Sequence, residues 1–522
     1  MGHVEYDIRR SSVFAPRGVV ATSQQLAAGA GLAALRRGGN AVDAAIAAAV
    51  ALTVVQPGSN DIGGDLFALI WDGERLHGLN ASGRSPRLLT RELVLERSPG
   101  AMPDRGWLSV TVPGAPRGWR DLHARFGSLP FAELFSDAIE YAERGYPVSP
   151  RTAAGWRVAA EQVYPGLVGA EFAEWERVFT FGGRAPRAGE RWANPEAART
   201  LRRIADTDSD DMYRGETAAA IVAHAERTGG LLRADDLAGH ASEWVEPISV
   251  RYRGHEVWEL PPNGQGIAAL IALGVLDGYE MSSLHQQIEA MKLGFADARA
   301  FVADPEVGGP VRELLEPGYL RGRRALIGER AGRYGAGEPQ RGGTVYLCTA
   351  DAAGRMVSLI QSNYMGFGSF VVPPGTGLGL QDRGAGFVLA EDHPNVVGPG
   401  KRPFHTIIPA FLTRGGEPVG PFGVMGGHMQ PQGHVQVVLS TVDGRLDPQA
   451  ALDRPRWYWG RGLEVQVEPG LAGSVDELRR RGHAVSVAAS PEVFGMGQAI
   501  WRTTQGYVAG SEPRADGYAA GY

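Results

Sequence analysis

The sequence predicts a large mixed chain in which helices cover a sheet, on three observations. Its 522 residues are about three times the usual domain length of roughly 150, so two packed modules or one large α/β unit are expected. Stretches with apolar residues three and four apart dominate up to about residue 330, and apolar runs joined by turn signals follow position 343. Glycine supplies 73 residues, roughly double its average share of about 7%, with no collagen period. That abundance points to tight turns and to backbone lying close to backbone or ligand.

The amino terminus, MGHVEYDIRRSSVF, is polar where a secretory signal needs an apolar stretch, so an untargeted cytoplasmic protein is expected. Residues 22–55 read as two helices, with Thr22 capping the first, Gly38-Gly39 stopping it and Asn40 capping the second. The apolar run Ala41 to Val55 is too short to span a bilayer. A glycine loop then feeds the strand LFALIW and a turn at Asp72-Gly73, and Arg84 follows a second strand-like stretch. Positions 120–330 look mainly helical. Residues 324–343, RALIGERAGRYGAGEPQRGG, read as an exposed linker with a boundary near 343. Beyond it, TVYLCTADAAGRMVSLIQS is a hairpin, followed by strands at PFGVMGG and VAGSE and a helix at SVDELRRRG.

Composition narrows the function. Hydrophobic residues at 43% and charged residues at 21% are ordinary for a globular protein, and 52 basic against 58 acidic residues give a net charge of −6. This leaves no basic footprint for nucleic acid and no polybasic membrane patch, so small molecules or peptides remain as partners. The lone cysteine, Cys348, excludes an intramolecular disulfide, a CxxC pair and a cysteine-based zinc site. GxSxG, HExxH and P-loop motifs do not occur. His428 and His434 lack a third ligand nearby, so no metal site is expected. Gly29, Gly31 and Ala34 give a GxGxxA match, but ATSQQLAA does not read as a buried strand, and close helix packing explains the glycines better.

Gly342-Gly343-Thr344 stands at the junction of the linker and a strand. Cleavage before Thr344 would place a new α-amine, with a pKa near ~8, beside the threonine's own hydroxyl as its general base. The precursor could cut itself by the same hydroxyl, through an N→O acyl shift at Gly343. Taken alone the pattern is weak, since Gly-Gly-Thr before a strand is usually an ordinary loop ending.

The wider set of motifs resembles the γ-glutamyltranspeptidase family of N-terminal nucleophile hydrolases over nearly the whole chain. It runs from GGNAVDAAIAAAVALTVVQPGSNDIGGDLF (38–67) through SGRSP (82–86), VPGAPRGW (112–119), the DLA near Asp236 and PPNGQG (261–266). It continues through GGTVYLCTAD (342–351), FGSFVV (367–372), GKRPFHTIIP (400–409) and GVMGGHMQPQ (423–432). The resemblance implies an α+β, four-layer αββα sandwich and a precursor that cleaves itself into a large subunit, 1–343, and a small one, 344–522. The resulting heterodimer could itself pair. It implies Thr344 as nucleophile, Ser362 as a supporting hydroxyl, Gly426 and Gly427 as the oxyanion glycines, and Arg84 as the arginine gripping the substrate's α-carboxylate. His405 and Thr406 stand where the family has two serines on that carboxylate. No cofactor is implied.

Three departures bear on the substrate. The acidic pair that receives the α-ammonium in this family is replaced in Gln381-Asp382-Arg383-Gly384-Ala385-Gly386-Phe387, leaving Asp382 to swing in and Arg383 to face the pocket beside Arg84. Tyr364 is nearest in register to the family's asparagine, with Asn363 adjacent, and the lid connection from Phe387 to Lys401 is short. The expected function is an autoprocessing threonine amidohydrolase acting on γ-glutamyl amides such as glutathione, with hydrolysis favoured over transpeptidation. Dicarboxylic-type or β-lactam acyl amides are the alternative, and a non-catalytic binding descendant is the second.

Overall fold

The computed structural model describes residues 10–309, 311–334 and 343–522. The readings made on residues 1–9, on Gly342 and on linker positions 335–342 lie outside the described residues.

The first helix spans Gln25–Arg36 and starts two residues later than a Thr22 cap would place it. Gln24 caps it, its side-chain oxygen accepting from the Leu26 and Ala27 N–H groups at 2.6 and 3.2 Å. Thr22 is unavailable as a cap because it ends a buried strand, Val19–Thr22, paired to Leu347 and Tyr518. A strand therefore does precede the GxGxxA match, yet the packing reading of its glycines stands. A Cβ on Gly31 would lie 2.9 Å from the Ala44 carbonyl oxygen of the next helix. That helix, Ala41–Val55, is buried throughout and opens with the reciprocal Asn40 and Asp43 capping box. Its alanines let it lie flat on the sheet, and Asp43 also accepts from the Ser128 hydroxyl and N–H.

Two seven-stranded sheets form the centre. The first runs Tyr518–Gly521, Val19–Thr22, Gly343–Ala350, Met356–Tyr364, Asp65–Trp71, Leu76–Ala81, Glu243–Val245. The second runs Val13–Ala15, Gly506–Ser511, Met496–Thr503, Glu417–Met425, Ala410–Arg414, His255–Glu259, Ile248–Tyr252. Side chains alternate between the faces as the strand period requires. Tyr346, Cys348, Met356 and Ile360 meet Phe411, Met425 and Ile500 between the sheets. Val345, Leu347, Val357 and Leu359 face the helices Gln25–Arg36 and Ala41–Val55. The outer face of the second sheet is covered by Gly266–Leu276 and Met429–Val442. The result is the four-layer αββα sandwich.

Two expectations are corrected. The middle of the chain is not only helical, because Glu243–Val245 and Ile248–Tyr252 each supply an edge strand to one sheet and His255–Glu259 an inner strand to the second. The described part of the linker, 324–334, is exposed or half-buried as expected, but it is anchored by its N–H groups. Gly332 N–H donates to Glu289 at 2.8 Å, and Ala331 N–H to the Arg481 carbonyl at 2.7 Å. Both sheets combine strands from either side of position 343, so one folded body replaces the two-module alternative. Among the described residues no helix is long and apolar enough to cross a membrane.

Asp43→Ala removes a buried carboxylate that holds a helix start and the 128–129 turn together. It is expected to lower the unfolding free energy by about 3 kcal/mol in chemical denaturation, with an unchanged m-value.

Candidate active site

The expected catalytic groups collect at one end of the two sheets. Gly343 pairs with Tyr364 and Val345 with Gln361, so the hairpin register shifts between them. That irregularity sets Thr344 opposite Ser362 and re-aims its side chain. Thr344 is buried, with its hydroxyl oxygen 3.1 Å from Ser362 Oγ and 3.4 Å from the donating Gln430 Nε2. Ser362 Oγ also accepts from the Tyr364 N–H and from Arg383 Nη2, both at 2.7 Å.

Arg383 is the centre of the electrostatics. It is buried, donates through Nη1 to Thr406 Oγ1 at 2.7 Å, and lies over the Tyr364 ring at 4.6 Å. Burial draws its guanidinium down to about 10. Asp65 is the nearby counter-charge. Burial pushes its carboxyl up to about 7, against the opposing pull of Arg383. His405, expected from the sequence at the substrate carboxylate, is engaged by a protein carboxylate in the structure. Its Nε2 stands 3.0 Å from Asp65, its ring packs on Phe67, and burial holds it well below its usual range. A neutral His405 is the consequence.

Asp382 does not swing in. It accepts from Arg105 Nη1 and the Met365 N–H, each at 3.0 Å, and burial pushes it up to about 7. Arg84 is not grouped with Arg383. Its Nη1 donates to Asp304 at 2.8 Å and to the Gly400 carbonyl at 2.9 Å, its Nη2 lies 3.4 Å from Glu306, and it opens onto a 200 Å³ cavity shared with Arg87, His240 and Arg402. Acids next to Arg84 were not legible in SGRSP because Asp304 lies 220 positions away.

Gly426 and Gly427 stand where the strand Glu417–Met425 turns into the helix Met429–Val442, with φ of +130° and +59°. These are conformations that favour glycine. Gln265 ties this turn to the carboxylate flank, donating to the Gly427 carbonyl at 2.9 Å and to that of Thr406 at 2.6 Å. Across the site, Tyr364, Phe367 and Phe370 have φ of +81°, +59° and +62°. Left-handed backbone at three bulky residues is costly and concentrates at sites where geometry must be held.

Sequence reasoning missed Asp65, Gln430 and Arg105 as members of the site. Asp65 lay inside the 38–67 motif and Gln430 inside the GGHMQPQ segment, while Arg105 carried no signal beyond its charge. Asn363 was noted only as a neighbour of Tyr364. It is buried, and both polar atoms of its side-chain amide lack a partner among the described residues. Such a group calls for water or ligand.

His428 and His434 do not converge on a metal; they hold Gln265 and Glu259, respectively. One His/Glu/His group does come together, formed by His285, Glu289 and His483. Lys292 Nζ lies 2.6 Å from Glu289 and already places a cation there.

Gly426→Ala forces an L-residue into left-handed backbone, with its Cβ 3.0 Å from Gly495 Cα. It is expected to cut kcat by about 100-fold with a small change in KM, measured on the processed enzyme. Ser362→Ala is expected to cost about 10- to 100-fold in the same assay and to slow the appearance of fragments.

A family model described as Gamma-glutamyltranspeptidase matches residues 27–522. The chain is 35% identical to the Glutathione hydrolase-like YwrD proenzyme of Bacillus subtilis (strain 168), covering 98% of this chain and 99% of that one. It is 34% identical to the Oxamate amidohydrolase proenzyme of Klebsiella pneumoniae, covering 98% and 100%. Among solved structures, a cephalosporin acylase from Bacillus halodurans superposes with a TM-score of 0.95 at 50% identity, covering 99% and 98%. With this match, the two stacked sheets and the groups gathered at their shared end, the chain belongs to the γ-glutamyltranspeptidase family of N-terminal nucleophile hydrolases and is an enzyme of the γ-glutamyltransferase-like type.

Proposed function

We propose that this enzyme is a self-processing threonine amidohydrolase whose acyl group carries a carboxylate instead of the γ-glutamyl α-ammonium. In the precursor, the Thr344 hydroxyl attacks the Gly343 carbonyl, the acyl group moves from nitrogen to oxygen, and water cleaves the ester to leave chains 1–343 and 344–522. In turnover, the freed α-amine takes the hydroxyl proton as Thr344 attacks the substrate amide. It then delivers that proton to the leaving amine, and water releases the acid. The N–H groups of Gly426 and Gly427 hold the tetrahedral oxyanion, and Ser362 orients Thr344.

The observation that carries the acyl preference is Arg383, buried against Ser362 and Thr406. Asp382, the acid in that segment, is committed to Arg105. A fixed guanidinium there repels an ammonium and attracts a second carboxylate. The γ-glutamyl reading expected from the sequence thereby becomes the second choice. The names of the relatives span glutathione, oxamate and cephalosporin, which supports amide hydrolysis with a variable acyl group. The short connection from Phe387 to Lys401 supports hydrolysis over transfer.

Purified wild type is expected to yield a fragment beginning at Thr344, and Thr344→Ala to remain a single 55.6 kDa chain. In side-by-side assays, glutaryl anilide should be cleaved with a kcat/KM at least about ten-fold above γ-glutamyl anilide. Arg383→Gln should remove about 10- to 100-fold of the glutaryl rate. The opposite ranking would return the γ-glutamyl reading to first place, and transfer to dipeptide acceptors exceeding hydrolysis would overturn the hydrolytic preference. The pH dependence has a definite sign. Below about 7, Asp65 and Asp382 take up protons, and the negative charge near Arg383 falls. The KM for glutaryl anilide should therefore fall from pH 8 to pH 6, while that of a neutral acyl anilide stays flat.

A further inference from the structure

The order of strands divides the surroundings of Thr344 into two flanks. At the relevant end of the first sheet the sequence of positions is Ser23, Thr344, Ser362, Asp65 and then Ser82 to Arg84. At the same end of the second sheet it is Met496, Gly426, Thr406 and Gln265. The charged groups assigned above to the acyl side all lie on one flank, with Ser362, Asp65 and Thr406. Ser23 and Met496 mark the other flank.

That other flank holds a cavity of 340 Å³. Three of its walls adjoin site residues through the chain or backbone hydrogen bonds, although Thr344, Ser362 and Gly426 do not themselves line it. Gly58 and Ser59 receive the N–H groups of Phe367 and Asn363 through their carbonyls, at 2.7 and 3.3 Å, and Asn363 adjoins Ser362. Gly366 and Phe367 follow Tyr364 by two and three positions. Met496 follows Gly495, whose Cα would lie 3.0 Å from a Cβ on Gly426 in the oxyanion turn. The floor is apolar. Phe367 lies 5.5 Å from Trp156, both are buried, and Val158 adds a side chain that is 42% exposed. Arg157 and Glu492 make a wet rim. Asp516 does not contribute a free charge, since it accepts from the Arg151 and Thr152 N–H groups at the start of the helix Pro150–Val158.

We infer that this cavity is the subsite for the leaving amine, and that it selects amides whose amine part has an apolar body of about ring size over primary amides. The inference rests on the amidohydrolase reading. With the acyl group held on the Arg383 flank, attack by Thr344 leaves the scissile nitrogen directed toward Ser23 and Met496. The apolar floor then desolvates the amine's body, and that binding energy accelerates acylation.

Gly155 gives the test, because it lines the cavity on Pro150–Val158 and a Cβ there meets nothing within 4 Å. Processed wild type and the series Gly155→Ala, Gly155→Leu and Gly155→Phe are compared on two amides of one acyl group, the 4-nitroanilide and the primary amide. The readout is the ratio of their kcat/KM values, which reports acylation alone. The ratio is expected to fall stepwise with side-chain size, by about ten-fold or more at Gly155→Phe. Val158→Trp fills the same space from a partly exposed position and is expected to lower the ratio too, so the test stands if the phenylalanine variant fails to fold. A flat ratio, or equal loss on both amides in folded variants, would overturn the subsite. Wild type that processes itself yet cleaves neither amide would instead overturn the reading on which it rests.

Discussion

A single buried charge organises this site. Removing a guanidinium from water costs several kcal/mol unless its donors are satisfied and a counter-charge is near. Arg383 meets that demand with Ser362 and Thr406 as acceptors and Asp65 as the nearby carboxylate. Ser362 lies near the end of a strand of the first sheet, and Thr406 leads into Ala410–Arg414 of the second. The charge therefore pins the two sheets together at their open end and holds the Ser362 hydroxyl beside Thr344. Asp65 is held in turn by His405, Gln381 and the Gly83 N–H, so the network reaches from the hairpin to the segment that carries Arg84.

The other arginines show how charge is kept local. Arg105 closes on Asp382 and Arg84 on Asp304, each pair with its acid buried. In a medium of low polarity such pairing leaves little free field, so the donors still directed at the hydroxyl groups of the site define its chemistry. A neutral His405 fits this pattern, for a second cation beside Arg383 would raise the cost of both.

The legibility of the sequence followed the range of the interactions. Asn40 with Asp43, the turn at Asp72-Gly73 and the 344–364 hairpin were readable because each is settled within a few residues. Thr22 misled because its fate is decided by pairing with Leu347, more than 300 positions away. The strands between 243 and 259 were hidden in a helical context, since each spans only three to five residues and so short a run carries a weak pattern. Thr344, Ser362, Thr406 and Gly427 lie in one hydrogen-bonded neighbourhood through Arg383 and Gln265. The partners of Arg84, Asp382 and His405 were not foreseeable, because a motif records which residue stands at a position and says nothing about which distant acid will claim it.

The interleaving of strands has a consequence for the order of events in the life of the molecule. Gly343–Ala350 lies between Val19–Thr22 and Met356–Tyr364, so a cut at its beginning severs the chain without opening any sheet edge. Each piece alone would carry half-built sheets with long rows of unpaired backbone groups, a surface prone to association. Assembly of the two sheets must therefore come first and scission second. If the chain is cut where proposed, covalent continuity at 343–344 serves as scaffolding for folding, dispensable once the hydrogen-bonded ladders on both sides are complete.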